Sequence, residues 1–229
     1  MKYLTKKTSV IALLIAIFAV AVFAAANYQL FGDAELFSPG NNSPTAAQLR
    51  STAGGFGGAD FTITSGLTFA DITNLSSEFK ITSGACGAGS PRFQVKVVDA
   101  VTELTKNVFV YFGSHPNYND CPVGTWTTTG DLLEAGKYVD SSQLTGGTFY
   151  HSYSDAVAAF GTWEVTGVQL VVDNGNVTVL ADNVTINNTI FTFESANSCK
   201  NGGWQNLTSA PGPFTNQGQC VSYYAKGGQ

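Results

Sequence analysis

Charge is scarce in this chain. Asp, Glu, Lys and Arg make up 12% of its 229 residues, as 16 acids and 11 bases. The shortage of base excludes the positive patches by which proteins hold nucleic acid or anionic membrane surfaces. Histidine is scarcer still, with two copies, His115 and His151. His115 precedes Pro116 in a loop, His151 lies among Tyr150, Ser152 and Tyr153, and no Gly-x-Ser-x-Gly elbow is present. Nucleophilic catalysis has little to build on. No Cys-x-x-Cys or His-x-x-x-His spacing offers a zinc site. The Gly54–Gly58 run lacks the Lys-Ser/Thr that completes a phosphate cradle. A glycosidase needs two carboxylates facing a cleft, and with 16 acids some such pair is inevitable, so their presence specifies nothing. Fixed-period repeats are missing, and so is the strand–helix alternation of a parallel sheet.

What is present begins with the first residues. Met1 to Ser9 carries Lys2, Lys6 and Lys7 without an acid, Val10 to Ala24 is unbroken apolar sequence, and Ala24-Ala25-Ala26 follows. This is the three-part layout of a secretory signal peptide over residues 1–26, with cleavage expected after Ala24 or Ala26. The competing reading is a membrane anchor, for which Val10 to Ala26 is short of the roughly 20 apolar residues of a full span. Cleavage would leave 16 acids and eight bases, a formal charge of −8, on a secreted, extracellular or cell-surface protein without further membrane contact. The four cysteines, Cys86, Cys121, Cys199 and Cys220, all follow the leader. In an exported chain an even count reads as two disulfides. Three connectivities are possible, and proximity in sequence favours Cys86–Cys121 and Cys199–Cys220.

Short strands dominate residues 27–193. Phe93, Val95 and Val97 alternate with polar residues, as a strand with one wet face does, whereas Val108 to Phe112 is apolar on both faces. Cys86 and Cys121 flank these two strands. Val165–Val172, the Asp173–Asn176 turn, Val177–Ile186, Asn187-Asn188 and Thr189–Phe193 predict a three-stranded antiparallel meander. Ser154–Phe160 is the one short helix, capped by Ser154 and ended by Gly161. Nine or ten strands at this spacing predict an all-β protein, an antiparallel β-sandwich over residues 27–195. Residues 196–229 form a small disulfide-closed appendage, too short for a core of its own.

The tail reads Cys-Lys-Asn-Gly-Gly-Trp-Gln and then Phe-Thr-Asn-Gln-Gly-Gln-Cys-Val-Ser-Tyr. It resembles the tail of a group of secreted, uncharacterised bacterial proteins, as do the Cys-Gly-x-Gly-Ser-Pro-Arg-Phe run, Val-Phe-Val-Tyr-Phe-Gly and the closing Val-Leu-Ala-Asp-Asn-Val-Thr-Ile-Asn. That group carries no catalytic residue across to this chain. The closing Asp-Asn-Val strand also resembles the last strand of galactose-binding-like jelly rolls, a fold common among carbohydrate-binding modules. This second resemblance implies a jelly-roll topology. It also implies a structural Ca²⁺ between first and last strands, for which Asp33, Glu35 and Asp182 are the candidate oxygen ligands; the alternative is solvated acids and no cofactor.

Flat side chains in loops are the remaining signal. Tyr118, Trp126, Tyr150 and Tyr153 sit in or beside loops, where an aromatic face can stack on the apolar face of a sugar ring; the bland alternative is packing. Three function classes follow. A non-catalytic binding module for glycans of a cell surface or matrix leads, ahead of a structural or surface-coat component and an extracellular glycoside hydrolase or lyase. Oligomeric state has no signature in the sequence.

Overall fold

A computed structural model describes residues 22–25, 28–52, 54–87, 89–208 and 211–226. Residues 1–21 of the expected leader and the cleavage point after Ala26 lie outside the described residues, whereas Ala24 and Ala25, which flank the other expected point, are described.

In chain order the elements are β1 (Val22–Ala25), β2 (Tyr28–Gly32), β3 (Ala34–Phe37), β4 (Ala46–Arg50), β5 (Gly57–Phe61), a 3₁₀ turn (Phe69–Asp71) and β6 (Leu75–Ser83). Next come β7 (Arg92–Val98), β8 (Thr105–Tyr111), β9 (Thr127–Thr128), β10 (Tyr138–Val139), β11 (His151–Ser152) and helix α1 (Tyr153–Phe160). The chain closes with β12 (Val165–Val172), β13 (Thr178–Ile186), β14 (Thr189–Thr192), a 3₁₀ turn (Gly203–Asn206) and α2 (Gln217–Ala225).

Twelve of these strands form two sheets packed face to face, the all-β sandwich that the strand count predicts and that the resemblance describes as of jelly-roll type, while β10 and β11 pair apart from them. One sheet runs β2-β5-β12-β7-β8, antiparallel throughout. The other is built on β13. One edge of β13 pairs along its length with β6, which carries β9. The other edge pairs first with β4 and then, beyond Asp182, with β14. β3 flanks β4, and β1 runs parallel to β14.

Period-two alternation decides which residues fill the space between the sheets. Phe93, Val95 and Val97, Val108 and Val110, and Val168, Leu170 and Val172 point inward from one sheet and are buried. Leu49, Phe79, Ile81, Val179, Ala181 and Ile186 meet them from the other, with Phe191 and Phe193 closing the core. The alternate residues of the five-stranded sheet point out. Register places Gln29, Asp60, Gln169, Gln94 and Phe109 in one row across all five strands.

Two expectations change. The three-stranded meander is not formed, because β12 and β13 belong to different sheets. The turn between them takes positive φ angles at Gly175 (81°) and Asn176 (50°), one residue beyond the Asn174-Gly175 pair, and carries the chain across the sandwich. Asp173 at its start is held by Arg92 of β7, with Nη–O distances of 2.7 and 2.5 Å. Only the β13–β14 hairpin survives of the meander. Helix α1 begins one residue earlier than predicted, and its cap is Ser152, whose Oγ accepts from the Asp155 N–H at 3.1 Å.

Both disulfides join the cysteines that proximity favours, with Cα–Cα distances of 5.6 Å for Cys86–Cys121 and 5.7 Å for Cys199–Cys220. The tail holds more order than its size suggests. Leu207, Phe214 and Tyr224 bury themselves around Cys199 and Cys220, and Trp204 packs against this cluster half-buried. No helix among the described residues is long and apolar enough to cross a membrane.

Candidate functional site

The β7–β8 hairpin sets up an aromatic corner. Phe109 and Tyr111 leave β8 on its outward face. Tyr111 is then covered by the loop that follows, its ring centroid 4.2 Å from that of Tyr118. This loop folds tightly back on itself. The Tyr118 N–H donates to the Ser114 carbonyl at 2.7 Å, and Tyr118 itself takes a left-handed φ of 50°. Gly113 allows the close approach, since a Cβ there would lie 2.2 Å from the Tyr118 carbonyl. The Cys121–Cys86 bridge pins the end of the loop to the opening of β7.

A second segment completes the corner. Pairing of β10 with β11 sets Tyr138 opposite Ser152 and so brings it alongside Phe149 and Tyr150. His115 lies between the two segments, stacked on Tyr138 at 4.2 Å with 20° between planes and edge-on to Tyr150 at 4.7 Å. Tyr150 stacks at 6.1 Å on Tyr118, and its hydroxyl donates to the Pro116 carbonyl at 3.0 Å. Tyr138, Phe149 and Tyr150 remain 37%, 43% and 46% exposed. Exposed rings grouped in this way are informative where single ones are not. Underneath, Tyr111 donates to Asp140 at 2.8 Å. Burial, reinforced by the Asp140 charge, pushes the Tyr118 hydroxyl up to about 12.

Beside these rings a cleft of about 370 Å³ opens between β8 and β9, lined by His115, Tyr118, Asp120, Thr129, Lys137 and Tyr138, with Phe79, Phe112 and Leu132 beneath. At the far end of the outward row a shallower hollow of about 400 Å³ lies over Tyr28, Gln29 and Asp60. Between them the sheet offers amides and paired charges: Gln169 Nε2 donates to Asp60 at 3.1 Å, and Lys96 Nζ lies 3.4 Å from the same carboxylate.

Of the four aromatic candidates, Tyr118 and Tyr150 come together here. Trp126 does not: it precedes β9, half-buried, and is absent from the residues lining the cleft. Tyr153 opens α1 and turns inward, its ring 5.6 Å edge-on to Phe69 and its hydroxyl bonded to the Ile72 carbonyl, as a packing residue does. Tyr138, Phe149 and His115 complete the corner; the sequence marks His115 only as a loop histidine without a catalytic partner and does not distinguish Tyr138 or Phe149. Their only signal was aromatic residues in glycine-bounded segments.

The three acids considered for calcium are not brought together. Arg50 at one end of β4 binds both Asp33, at 2.8 Å, and Glu35, at 2.6 Å. Asp182 lies beyond the other end of the β4–β13 pairing, which finishes at Ala47–Ala181. There it is fully buried and accepts from Ser43 Oγ at 2.6 Å and from the Asn41 N–H at 2.9 Å. Its neighbour is Glu194, 1% exposed, with neither carboxylate oxygen in a well-formed hydrogen bond. Burial, then the Glu194 charge, raises Asp182 to about 7, and burial raises Glu194. Tyr224 of α2 lies close enough for the Glu194 charge to add to the effect of its burial. No group of three or more metal-ligating side chains occurs among the described residues. A hard cation is one partner that would satisfy the Glu194 oxygens left without a hydrogen bond near Asp182.

One pairing has the look of catalysis. Ser141 Oγ lies 2.9 Å from His151 Nδ1. Ser141 is fully buried, however, and its hydroxyl also bonds the Thr148 carbonyl and N–H, at 3.2 and 3.1 Å, so it staples a loop.

No family model matches this chain, and no curated protein does. Solved structures give loose likenesses. One is the CBM22-1–GH10 module pair of an endo-1,4-β-D-xylanase 10B of Clostridium thermocellum complexed with xylohexaose, at TM-score 0.40 and 18% identity, over 70% of this chain and 26% of that one. Another is an exo-β-agarase, at TM-score 0.36 and 16% identity, over 70% and 23%. A third is the family 11 carbohydrate-binding module of the cellulase Lic26A-Cel5E of Clostridium thermocellum, at TM-score 0.39 and 10% identity, over 69% and 85%. The chain spans about a quarter of the length of the first two. Likeness at this level assigns no family.

Proposed function

We propose that the protein is a secreted, non-catalytic module that binds glycans of a cell surface or matrix. The supporting observation is the aromatic corner, where Tyr138, Phe149 and Tyr150 stand exposed around His115 at the rim of a polar cleft. Sugars present apolar ring faces edged by hydroxyls, and such a site meets both with flat rings and nearby amide and hydroxyl groups. A hydrolase is less well supported. Among the described residues the neighbouring acids with raised pKa values, Asp182 and Glu194, are buried away from substrate.

Affinity electrophoresis of the exported protein in gels containing polysaccharide tests the reading. Retardation that disappears in Tyr150→Ala supports it. Unchanged retardation in Tyr138→Ala and Tyr150→Ala moves the site elsewhere, and absence of retardation in every polymer favours a structural or coat role.

A further inference from the structure

Given that reading, we infer that the site takes an uncharged glycan, one without uronate, sulfate or phosphate groups. Recognition of an anionic sugar needs a cation free to meet it, best an arginine presenting two N–H groups to one acid group. Among the described residues the cations at the corner and along the outward row include Arg92, Lys96 and Lys137, each of which faces an acid, while Lys106 of β8 donates to the Gln143 carbonyl at 3.1 Å. Arg92 gives both terminal nitrogens to Asp173 and one of them also to the Gly89 carbonyl at 2.7 Å. Its guanidinium carbon lies 4.7 Å over the Phe109 ring. The side chain is 12% exposed, so that fork is held from both ends. Lys96 faces Asp60 at 3.4 Å and Lys137 faces Glu134 at 3.6 Å. The cleft itself adds a carboxylate, the exposed Asp120, with Asp140 buried nearby.

The long-range field points the same way. Residues 27–195 hold all 16 acids and six of the 11 bases, a formal charge of −10. A body of that sign repels polyanions over a Debye length of about 8–10 Å at moderate salt. What the surface does offer is suited to hydroxyls. Gln29, Gln94 and Gln169 present amides that both donate and accept, and the exposed rings offer apolar faces.

The test is isothermal titration of the exported protein with neutral polymers (a glucan, a galactan, a xylan) and anionic ones (polygalacturonate, alginate, chondroitin sulfate) at low and high salt. The expected result is binding of at least one neutral polymer, insensitive to salt and lost in Tyr150→Ala, with anionic polymers weaker by roughly tenfold or more at low salt. An anionic polymer that binds as tightly as any neutral one at low salt, weakens as salt rises and depends on Tyr150 overturns the charge class while leaving glycan binding intact. Failure of every polymer to bind overturns the glycan reading itself, and this inference with it.

Discussion

Two regions of the molecule break the ordinary rule of burial in opposite directions. At the aromatic corner, apolar rings stand in solvent: Tyr138, Phe149 and Tyr150 are each more than a third exposed. Beneath the β13 partner switch, two carboxyls, Asp182 and Glu194, are shut away from it. Each arrangement costs free energy relative to the reverse placement, and each persists because neighbouring chain holds it. The corner is held by the Cys86–Cys121 bridge and by loops bonded back to themselves. The acid pair is held at Asp182 by the Ser43 hydroxyl and by the Asn41 N–H of the 38–45 loop. The exposed rings leave surface available to a ligand. The buried acids leave none, and their effect falls on stability.

The largest effect expected from breaking this contrast is on the corner's clamp. Cys86–Cys121 closes a loop of 35 residues, worth roughly 3–4 kcal/mol in the chain-entropy model. Replacing both cysteines by serine should lower the melting temperature by roughly 10 °C and abolish glycan retardation, since the Tyr118 loop loses its anchor. Replacing Cys199 and Cys220 should leave the sandwich transition within a few degrees of wild type and make residues 199–226 protease-sensitive. Non-reducing peptide mapping checks the pairing first.

The acid pair predicts a smaller effect with a definite sign. Burial and the neighbouring charge lift Asp182 from 3.8 to about 7, and Glu194 rises with it. An acid raised on folding keeps its proton in the folded state at a pH where the unfolded chain has lost it. Stability from this source is therefore full at acid pH and is lost as pH climbs through the interval from about 4 to about 7. Thermal melts at stepped pH should show this fall, and Glu194→Gln should flatten it, with a gain on the order of 5 °C at pH 8. If calcium occupies the pair, millimolar calcium at pH 8 should restore the wild-type melting temperature and leave Glu194→Gln unmoved. A wild-type melt indifferent to both calcium and chelator removes the cation from the account.

The architecture could be read from the sequence wherever a local rule decides it. Alternation in Phe93–Val97 set the core face of β7, Asn187-Asn188 set the β13–β14 hairpin, and cysteine spacing set both bridges. The meander failed because Asn174-Gly175 specifies a tight reversal and says nothing about which sheet receives the returning strand. The corner was half legible for a related reason. Tyr118 and Tyr150 stood out as loop aromatics, but their meeting with His115 and Tyr138 depends on the short β10–β11 pairing, two residues on each side, which leaves no periodic signal. Glu194, at the end of the expected sandwich, carries no signal in the sequence, because burial of a lone acid depends entirely on tertiary neighbours. The tail was underestimated likewise: α2 becomes visible only once Cys220 and Tyr224 share a face with Leu207 and Phe214.

Binding at the aromatic corner is tested by measuring both stability and affinity on one double variant, Tyr138→Ala with Tyr150→Ala. Both rings are exposed, so the double variant should melt within about 1–2 °C of wild type. Its affinity for whichever neutral polysaccharide retards the wild type should fall by roughly tenfold or more, the loss of two stacking faces at about 1 kcal/mol each. Affinity retained at the wild-type level in a normally folded variant would contradict the claim that the aromatic corner is the binding site.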